Sequence, residues 1–407
     1  MSKPDPIAAA IGAVVDAGEL AGAVTLVWRG GKIVQSACVG SRDIETQAPI
    51  RRDTIFRIAS MSKPITSTAA LMLIEEGRIA LEDPISRWAP EFAKMRVLRS
   101  PTGPLDQTDP ADRPITFEDL LTHRAGLTYG DFHASPLGVA YAKALGGDID
   151  STVAPDDWIA GLAALPLIDQ PGAGFHYGHS TDLLGLLIAR IEHAPLGEVL
   201  RRRIFAPLGM NDTGFVVAED KRDRRARMHG FDEAGRLIAR DSPPGGAAMA
   251  ERPDNMEFVS GGQGLWSTAD DYLAFARIFV GAGAVDGVRL LKPGTLDLMT
   301  TNRLTELQRA EARLLGMPVF TAHGFGLGVA VVIDPETASA LRCRGGVGTV
   351  GWPGAYGGWW QADPTDGSVM IFLAQGSFEL DQLANGIGLG VYAAIEQFHA
   401  LASGLVG

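Results

Sequence analysis

The stretch Ser60-Met-Ser-Lys63-Pro-Ile-Thr-Ser-Thr-Ala-Ala-Leu-Met-Leu-Ile-Glu-Glu-Gly77 decides the fold of this chain, because it predicts the central helix. Pro64 lies in the predicted first turn and Gly77 follows the predicted end, as is common at the two ends of a helix. Apolar residues occupy nearly every face, which is the pattern of a helix buried in a large core. We therefore expect Ser60 and Lys63 at the start of a buried helix.

Ser60 and Lys63 are the chemically informative pair of this stretch. Residues three apart share a face of a helix, so the two side chains are expected side by side. A serine hydroxyl becomes a good nucleophile when a neighbouring base takes its proton, and a desolvated, neutral lysine is such a base. The helix N-terminus adds unpaired N–H groups and a positive dipole end. The pair suits acyl transfer, although a single Ser-x-x-Lys also arises by chance as a solvated pair on a helix surface.

The composition is that of a globular protein with an acidic surface. At 407 residues, 46% hydrophobic and 21% charged, the chain is long enough for a large core and two structural lobes. The net charge of −12 argues against nucleic acid or an anionic membrane as a partner. Cys38 and Cys343 lie outside any CxxC or Cys/His metal spacing, so we expect reduced, buried thiols and no metal site.

Two further observations concern location. No stretch of unbroken apolar residues reaches the length that spans a membrane. The N-terminal residues Met1-Ser-Lys-Pro-Asp-Pro-Ile-Ala8 lack the basic-then-apolar order of a signal peptide. We therefore expect a cytoplasmic protein.

Strand patterns occur near both ends of the chain, and helical patterns occupy its middle. The predicted elements are a helix over 7–17, a β-hairpin of 23–28 with 32–39 around Arg29-Gly30-Gly31, a loop over 96–114, helical segments between 117 and about 208, a loop over 241–255, strands over 326–333, 349–360 and 368–374, and a final helix over about 383–401. The segments 117–122, 155–164 and 181–192 are the clearest helices of the middle region.

This distribution predicts a mixed α/β fold of the α+β type. One antiparallel sheet is expected from the two chain ends, flanked by helices, with a mostly helical lobe inserted between them. The predicted domains are 1–90 with 255–407, and 91–254 as the insertion. The order is not the alternating βαβ pattern of a doubly wound sheet. The sequence also contains no G-x-S-x-G elbow, no G-x-x-x-x-G-K-[ST] and no H-E-x-x-H.

Two more motifs supply candidate site residues. Tyr177 lies in Pro171-Gly-Ala-Gly-Phe-His-Tyr-Gly-His-Ser180, directly before a predicted helix, where its phenol can act as a general acid or base. The stretch Gly351-Trp-Pro-Gly-Ala-Tyr-Gly-Gly358 lets a substrate approach the backbone, and an N–H there can form half of an oxyanion hole. Because Pro353 cannot donate a hydrogen bond, we expect an edge strand facing a cleft.

The order Ser-x-x-Lys, then a tyrosine about a hundred residues on, then a Trp-x-Gly segment resembles the family VIII carboxylesterases. These belong to the serine β-lactamase and penicillin-binding-protein superfamily, closest to class C β-lactamases. Further stretches are similar to that group: Leu81-Glu-Asp-Pro-Ile85, Ile115-Thr-Phe-Glu-Asp-Leu-Leu-Thr-His-Arg-Ala-Gly-Leu127, Phe205-Ala-Pro-Leu-Gly-Met210 and Gly261-Gly-Gln-Gly-Leu-Trp-Ser-Thr-Ala-Asp-Asp-Tyr272.

The resemblance implies a role for each matching residue. Ser60 matches the nucleophile, Lys63 its base partner, and Tyr177 the residue that moves the proton to the leaving group and helps activate the deacylating water. Trp352-Pro-Gly354 matches the third motif, and the N–H groups of Ser60 and Ala355 match the oxyanion hole. The implied enzyme is a cofactor-free serine carboxylesterase acting on a small-molecule ester.

Two positions depart from the β-lactamase pattern. Trp352 stands where β-lactamases carry a cationic lysine, and His179 stands where class C enzymes carry an asparagine. His179 is expected either to line the pocket or to be a structural histidine. Together with Trp352 and Gly354 it completes the predicted substrate-binding set. Both departures favour a neutral ester over an anionic β-lactam, and the expected substrates are small esters with short acyl chains.

Two alternatives remain at this level. The first is a β-lactamase or D-amino-acid peptidase of the same chemistry, against which Trp352 and the expected location argue. The second is a non-catalytic ligand sensor that keeps the penicillin-binding fold, against which the presence of Ser60, Lys63 and Tyr177 argues.

Overall fold

We describe the chain from a computed structural model, over residues 5–132, 135–147, 149–241, 248–249, 252–253, 256–314, 316–339 and 342–406. Most of the predicted loop over 241–255 lies outside these residues. Among the described residues, no helix is long and apolar enough to cross a membrane.

The helices of the described residues include both predicted terminal helices and the central one. They are α1 (Pro6–Asp16), α2 (Ser62–Glu75), α3 (Phe117–Leu121), α4 (Pro136–Leu145), α5 (Pro155–Ala163), α6 (Ser180–Glu192), α7 (Leu196–Leu200), α8 (Ala206–Leu208), α9 (Ala269–Ala276), α10 (Pro293–Met299), α11 (Glu306–Glu311), α12 (Leu380–Ala384) and α13 (Gly390–Val406).

The strands of the described residues form one large sheet and several two-stranded pairs. They are β1 (Gly22–Arg29), β2 (Lys32–Asp43), β3 (Ala48–Pro49), β4 (Phe56–Arg57), β5 (Arg96–Leu98), β6 (Thr108–Pro110), β7 (Met228–Phe231), β8 (Leu237–Arg240), β9 (Trp266–Ser267), β10 (Ala284–Val285), β11 (Val288–Arg289), β12 (Arg313–Leu314), β13 (Met317–Pro318), β14 (His323–Phe325), β15 (Ala330–Val332), β16 (Val350–Gly351), β17 (Trp359–Asp363) and β18 (Ser368–Leu373).

The large sheet joins the two ends of the chain. Its order is β14-β15-β16-β17-β18-β1-β2-β3, with antiparallel pairing throughout. The N-terminal hairpin therefore lies beside the C-terminal strand β18, with Val24 opposite Leu373. The predicted antiparallel sheet from both chain ends, flanked by helices, is confirmed. The domain limits at 90/91 and 254/255 stay a prediction.

Both faces of the sheet are covered, which explains why β1 is buried along most of its length. Leu26 points to the larger core, which also contains α2, whereas Val27 points to a smaller core under α1 and α13. Successive side chains of a strand alternate between the two faces. The nearly complete burial of α2 confirms the prediction of a central helix.

Several boundaries differ from the predicted ones. The segment 96–114, predicted as a loop, contains the hairpin β5–β6, because a Pro/Asp-rich tip can still close a short strand pair. The run 326–333, predicted as one strand, contains the turn after β14 and the strand β15. The predicted final helix is interrupted after α12, because Gly386 and Gly388 adopt φ of 83° and 82° and so end the helix. Cys38 is exposed rather than buried, while Cys343 is buried as predicted.

The segment 349–360 is also divided, and this matters for the site. It forms β16 and β17 with an irregular turn between them, rather than one strand. Since β16 pairs with β15 on one side and β17 on the other, the prediction of an edge strand is wrong. Pro353 is tolerated for a different reason: it lies in the turn, outside the hydrogen-bonded ladder.

Candidate active site

Ser60 lies in a single 3₁₀ turn, Ala59–Met61, that joins the short strand β4 to α2. The turn is anchored from the other side of the chain, because the Ile58 N–H donates a 3.0 Å hydrogen bond to the Leu265 carbonyl. Ala59 adopts a φ of 44°, a left-handed conformation that is costly for a residue with a Cβ. The fold therefore holds the residue before Ser60 in a strained conformation, directly ahead of the buried helix.

Lys63 lies in the first turn of α2, on the same face as Ser60. Its Nζ is 3.2 Å from Ser60 Oγ. The same nitrogen donates a 3.1 Å hydrogen bond to the Gly262 carbonyl and lies 3.3 Å from the Tyr129 hydroxyl. The side chain has no solvent-exposed surface. Three oxygen neighbours thus orient the amine, and one of them is the hydroxyl that must lose its proton.

Asp182, in the first turn of α6, is the common hydrogen-bond acceptor of the residues around Lys63. Its Oδ2 accepts a 3.1 Å hydrogen bond from the Tyr129 hydroxyl. Its Oδ1 accepts hydrogen bonds from Ser260 Oγ and, at 3.0 Å, from the Gly262 N–H. Burial alone would raise the pKa of this carboxyl, but its hydrogen bond and electrostatic interaction with His179, followed by the charge of Lys63 and the hydrogen bond from Ser260, hold the pKa below its ordinary value. Asp182 is therefore a buried anion, and the Tyr129 hydroxyl connects it to the Lys63 amine.

His179 belongs to the same network. Its Nδ1 lies 3.3 Å from Asp182 Oδ2, and its side chain is fully buried. The rings of Tyr129, Tyr141 and Trp158 surround it edge-on, at 4.6–5.6 Å between ring centroids. Of the two roles left open by the sequence, this burial favours the structural one. A direct role in lining the pocket stays a prediction.

Tyr177 lies on the other side of Lys63, just before α6. Lys63 Nζ is 4.5 Å from the centroid of its ring. The phenolic oxygen accepts a 2.8 Å hydrogen bond from Trp352 Nε1. His123 packs against the ring at 4.8 Å, and burial lowers the pKa of this histidine well below its ordinary value, so it is a neutral neighbour. The structure thus brings the predicted catalytic side chains of Ser60, Lys63 and Tyr177 together. Trp352 is the hydrogen-bond donor to Tyr177.

The turn between β16 and β17 approaches the Ser60 turn closely. A Cβ on Gly354 would lie 2.5 Å from the Ile58 carbonyl oxygen, so only glycine permits this approach. The Gly354 N–H is occupied by the Gly358 carbonyl at 2.7 Å. Ala355, the next residue, is exposed, and its N–H has no hydrogen-bond partner among the described residues. This geometry suits the predicted oxyanion hole of Ser60 and Ala355 N–H groups, which stays a prediction.

Sequence reasoning did not assign a role to Tyr129, Asp182 or Gly262. Gly262 lies within the stretch 261–272 that resembles the esterases, and Tyr129 lies two residues beyond the similar stretch 115–127. Asp182 had a signal of its own, since it is the one acidic residue in the apolar run 180–189. A carboxylate in a helix that is otherwise buried needs partners, and those partners form the site. Among the described residues, no group of three or more His, Cys, Asp or Glu side chains is arranged to hold a metal ion.

Comparison with known proteins places the chain in a family. The family model described as Beta-lactamase matches residues 7–389. The chain belongs to the beta-lactamase family. Within it, Protein Rv1367c of Mycobacterium tuberculosis is 48% identical over 367 residues, covering 90% of this chain and 88% of the relative. Esterase EstB of Burkholderia gladioli is 32% identical over 371 residues, covering 88% of this chain and 87% of the esterase.

A solved structure of the beta-lactamase fold agrees with these relatives. EstCE1, a hydrolase with promiscuous acyltransferase activity, matches 95% of this chain and 97% of its own, with a TM-score of 0.75 and 27% identity. The predicted resemblance to esterases of the β-lactamase superfamily is thereby confirmed. As a beta-lactamase family member, the chain is an enzyme of the serine hydrolase class.

Proposed function

We propose that this protein is a serine carboxylesterase that hydrolyses small, short-acyl-chain esters through an acyl-enzyme on Ser60. The observation that carries the proposal is the 3.2 Å approach of Lys63 Nζ to Ser60 Oγ in a site closed to solvent on the lysine side. A base within hydrogen-bonding distance of a serine is what nucleophilic catalysis requires. Relatives and structural neighbours that include named esterases support the same assignment.

In acylation, Ser60 Oγ forms a bond to the ester carbonyl carbon while its proton passes to Lys63, with Tyr177 sharing base duty. The negative charge on the carbonyl oxygen is stabilised by the N–H groups of Ser60 and Ala355. The carbon–oxygen bond to the alcohol then breaks, and the proton held by Lys63 passes through the Tyr177 hydroxyl to the departing alcohol. In deacylation, water attacks the same carbon while its proton passes to the same base. The bond between that carbon and Ser60 Oγ then breaks, and the base returns the proton to Ser60 Oγ, which releases the acid and the free serine.

The proposed preference for short acyl chains rests on the aromatic residues around Tyr177. The rings of Phe132 and Tyr177 are stacked at 6.1 Å, and Tyr129 meets Phe132 edge-on at 5.6 Å. Trp352 and Phe325 extend this cluster at 5.4 Å. Rings packed against one another in this way cannot move aside cheaply, so we expect them to limit the length of an acyl group bound beside Ser60.

The test combines labelling with a substrate series. A fluorophosphonate probe should label Ser60, and 4-nitrophenyl esters from acetate to dodecanoate should show kcat/KM falling with acyl length. A chromogenic cephalosporin and a D-alanyl peptide, assayed in parallel, represent the enzymatic alternatives. Faster turnover of either than of the best ester would contradict the esterase assignment. Absence of labelling together with absence of turnover would favour the non-catalytic sensor.

Acyl transfer to an alcohol is a second candidate, favoured by one specific observation. EstCE1, which matches nearly the whole chain, is named as a hydrolase with promiscuous acyltransferase activity. The same acyl-enzyme would react with an alcohol in place of water. Adding butanol to the ester assay and measuring butyl ester against free acid would separate the two. Formation of acid alone would exclude transfer to this alcohol.

A further inference from the structure

Arg342 is a cation beside the proposed active site for which the proposed mechanism has no use. It lies between β15 and β16, ten residues before Trp352 along the chain. Its guanidinium carbon is 5.2 Å from the centroid of the Trp352 ring, and that ring donates the hydrogen bond to Tyr177. Arg342 therefore packs against Trp352, the residue at the position where β-lactamases carry a lysine.

The charge of Arg342 is not neutralised by a carboxylate. None of the described Asp or Glu side chains lies within ion-pair distance of it, whereas Arg57, Arg113, Arg190 and Arg203 all have such partners. The groups that act on its charge are Tyr177, Cys343 and Tyr392, all of them weak acids. Burial lowers the pKa of the guanidinium from its ordinary value. The side chain is half-buried, and a cation that has lost part of its water without gaining a carboxylate partner is destabilised, so a bound anion would be favourable.

We propose that Arg342 binds a carboxylate carried by the substrate, so that the preferred substrates are half-esters of short dicarboxylic acids. This inference rests on the proposed esterase function and names the substrate class of the same site. It replaces the preference for neutral esters that position 352 alone suggests. Trp352 stands where β-lactamases carry a lysine in the third motif. Arg342, in the loop between β15 and β16, packs on the face of the Trp352 ring and supplies the positive charge instead.

The chemistry of arginine fits this role. Its planar guanidinium presents a fork of N–H donors that matches the two oxygens of a carboxylate. Stacking on an indole fixes the plane of the guanidinium without using those donors. Trp352 would then orient two groups at once: Tyr177 through its N–H, and Arg342 through its ring face.

The experiment compares matched pairs of esters. Monoethyl succinate, glutarate and adipate are each assayed by pH-stat against ethyl butanoate, pentanoate and hexanoate, which have the same carbon count and no second charge. The measured quantity is the ratio of kcat/KM for the anionic ester to that for its neutral partner. We expect a ratio above one for at least one pair. Arg342→Met, which keeps the length of the side chain without the charge, should lower that ratio by about tenfold or more.

Two variants complete the design. Arg342→Lys keeps the charge and should retain part of the ratio even if Arg342→Met folds poorly. Arg344→Met removes an exposed arginine two residues away and should leave the ratio unchanged. A wild-type ratio of one or less in every pair, or an equal effect of Arg342→Met on both esters, would overturn this inference and leave the esterase proposal standing. No turnover of any neutral or anionic ester would overturn both.

Discussion

The indole Nε1 of Trp352 donates a 2.8 Å hydrogen bond to the phenolic oxygen of Tyr177, across 175 residues of sequence. Both side chains are buried, at 2% and 6% exposure, so the bond has little competition from water. It fixes the direction of the phenol beside the Lys63 amine. In the proposed mechanism, the uncharged Trp352 therefore positions the phenol that transfers the proton.

Replacing Trp352 with Phe should therefore reduce kcat more than it affects KM. The ring would still fill the site, but the phenol of Tyr177 would lose its donor, and one such bond corresponds to about a tenfold change in rate. Steady-state kinetics with 4-nitrophenyl acetate measures this. Trp360→Phe is the matched control, since the indole N–H of Trp360 is buried without a hydrogen-bond partner among the described residues. Equal losses in the two variants would argue against a role for the Trp352 N–H.

Replacing Ser60 with Ala should abolish ester hydrolysis without unfolding the protein. Loss of the nucleophile in a serine hydrolase costs on the order of 10⁶ in kcat. Mass spectrometry of a slow substrate should find the acyl group on the peptide that contains Ser60. Ser67→Ala serves as the control, because Ser67 is buried on the same helix and its hydroxyl has no partner among the described residues. An adduct on any other residue would contradict the mechanism.

Replacing Lys63 with Arg should leave almost no activity. A guanidinium does not surrender its proton near neutral pH, so the charge would remain while the base is lost.

The wild-type rate should fall in acid and be highest at neutral to mildly alkaline pH, because lysine and tyrosine act as bases only when deprotonated. The pH–rate profile measures this. An optimum below about pH 5 would indicate a carboxylate base instead.

Replacing Asp182 with Asn should destabilise the fold by about 3 kcal/mol, because the hydroxyls of Tyr129 and Ser260 would lose a buried anionic acceptor. The pKa of Asp182 lies below its ordinary value, so this stabilisation is present above about pH 4 and disappears only as the pH falls through the folded-state pKa. Urea denaturation at pH 7 measures the loss. Asp169→Asn is the control, since its pair with His176 is partly exposed and should contribute at most about 1 kcal/mol. Similar losses in the free energy of unfolding in both variants would contradict the stabilising role of the buried Asp182 hydrogen bonds.

His123 should make the free energy of unfolding depend on pH. Its pKa in the folded protein lies well below the ordinary value because it is buried. Below about pH 6.5 the unfolded chain binds a proton that the folded chain does not, so stability falls as the pH falls from there toward the folded-state pKa. The slope from this group is at most about 1.4 kcal/mol per pH unit. Denaturation between pH 7.5 and 5.5 should show a shallower slope in His123→Gln, but not in the exposed control His193→Asn; equal slopes would contradict the assignment.

Local sequence patterns were sufficient to predict the elements that form between residues close together in the sequence. The helix from Ser62 to Glu75 and the hairpin of β1 and β2 follow from periodicity, proline and glycine placement, which act within a few residues. Local patterns failed where a distant group decided the outcome. The segment around Pro353 reads as one strand, but it leaves the ladder where Gly354 meets the Ile58 carbonyl.

The sequence by itself determined the strands at both chain ends, the central helix and the adjacency of Ser60 and Lys63, because these depend on short-range geometry and on hydrophobic periodicity. The antiparallel sheet was predicted from the distribution of these strands, and its register, with Val24 opposite Leu373, was decided by tertiary pairing. Only the tertiary structure decided what surrounds the lysine. Tyr129, Asp182 and Gly262 come from three separate segments, and their contacts with Lys63 or with one another arise from the need of buried polar groups for partners. The placement of Arg342 on the face of Trp352 was decided in the same way, because no spacing rule links a loop cation to a ring that folds back against it.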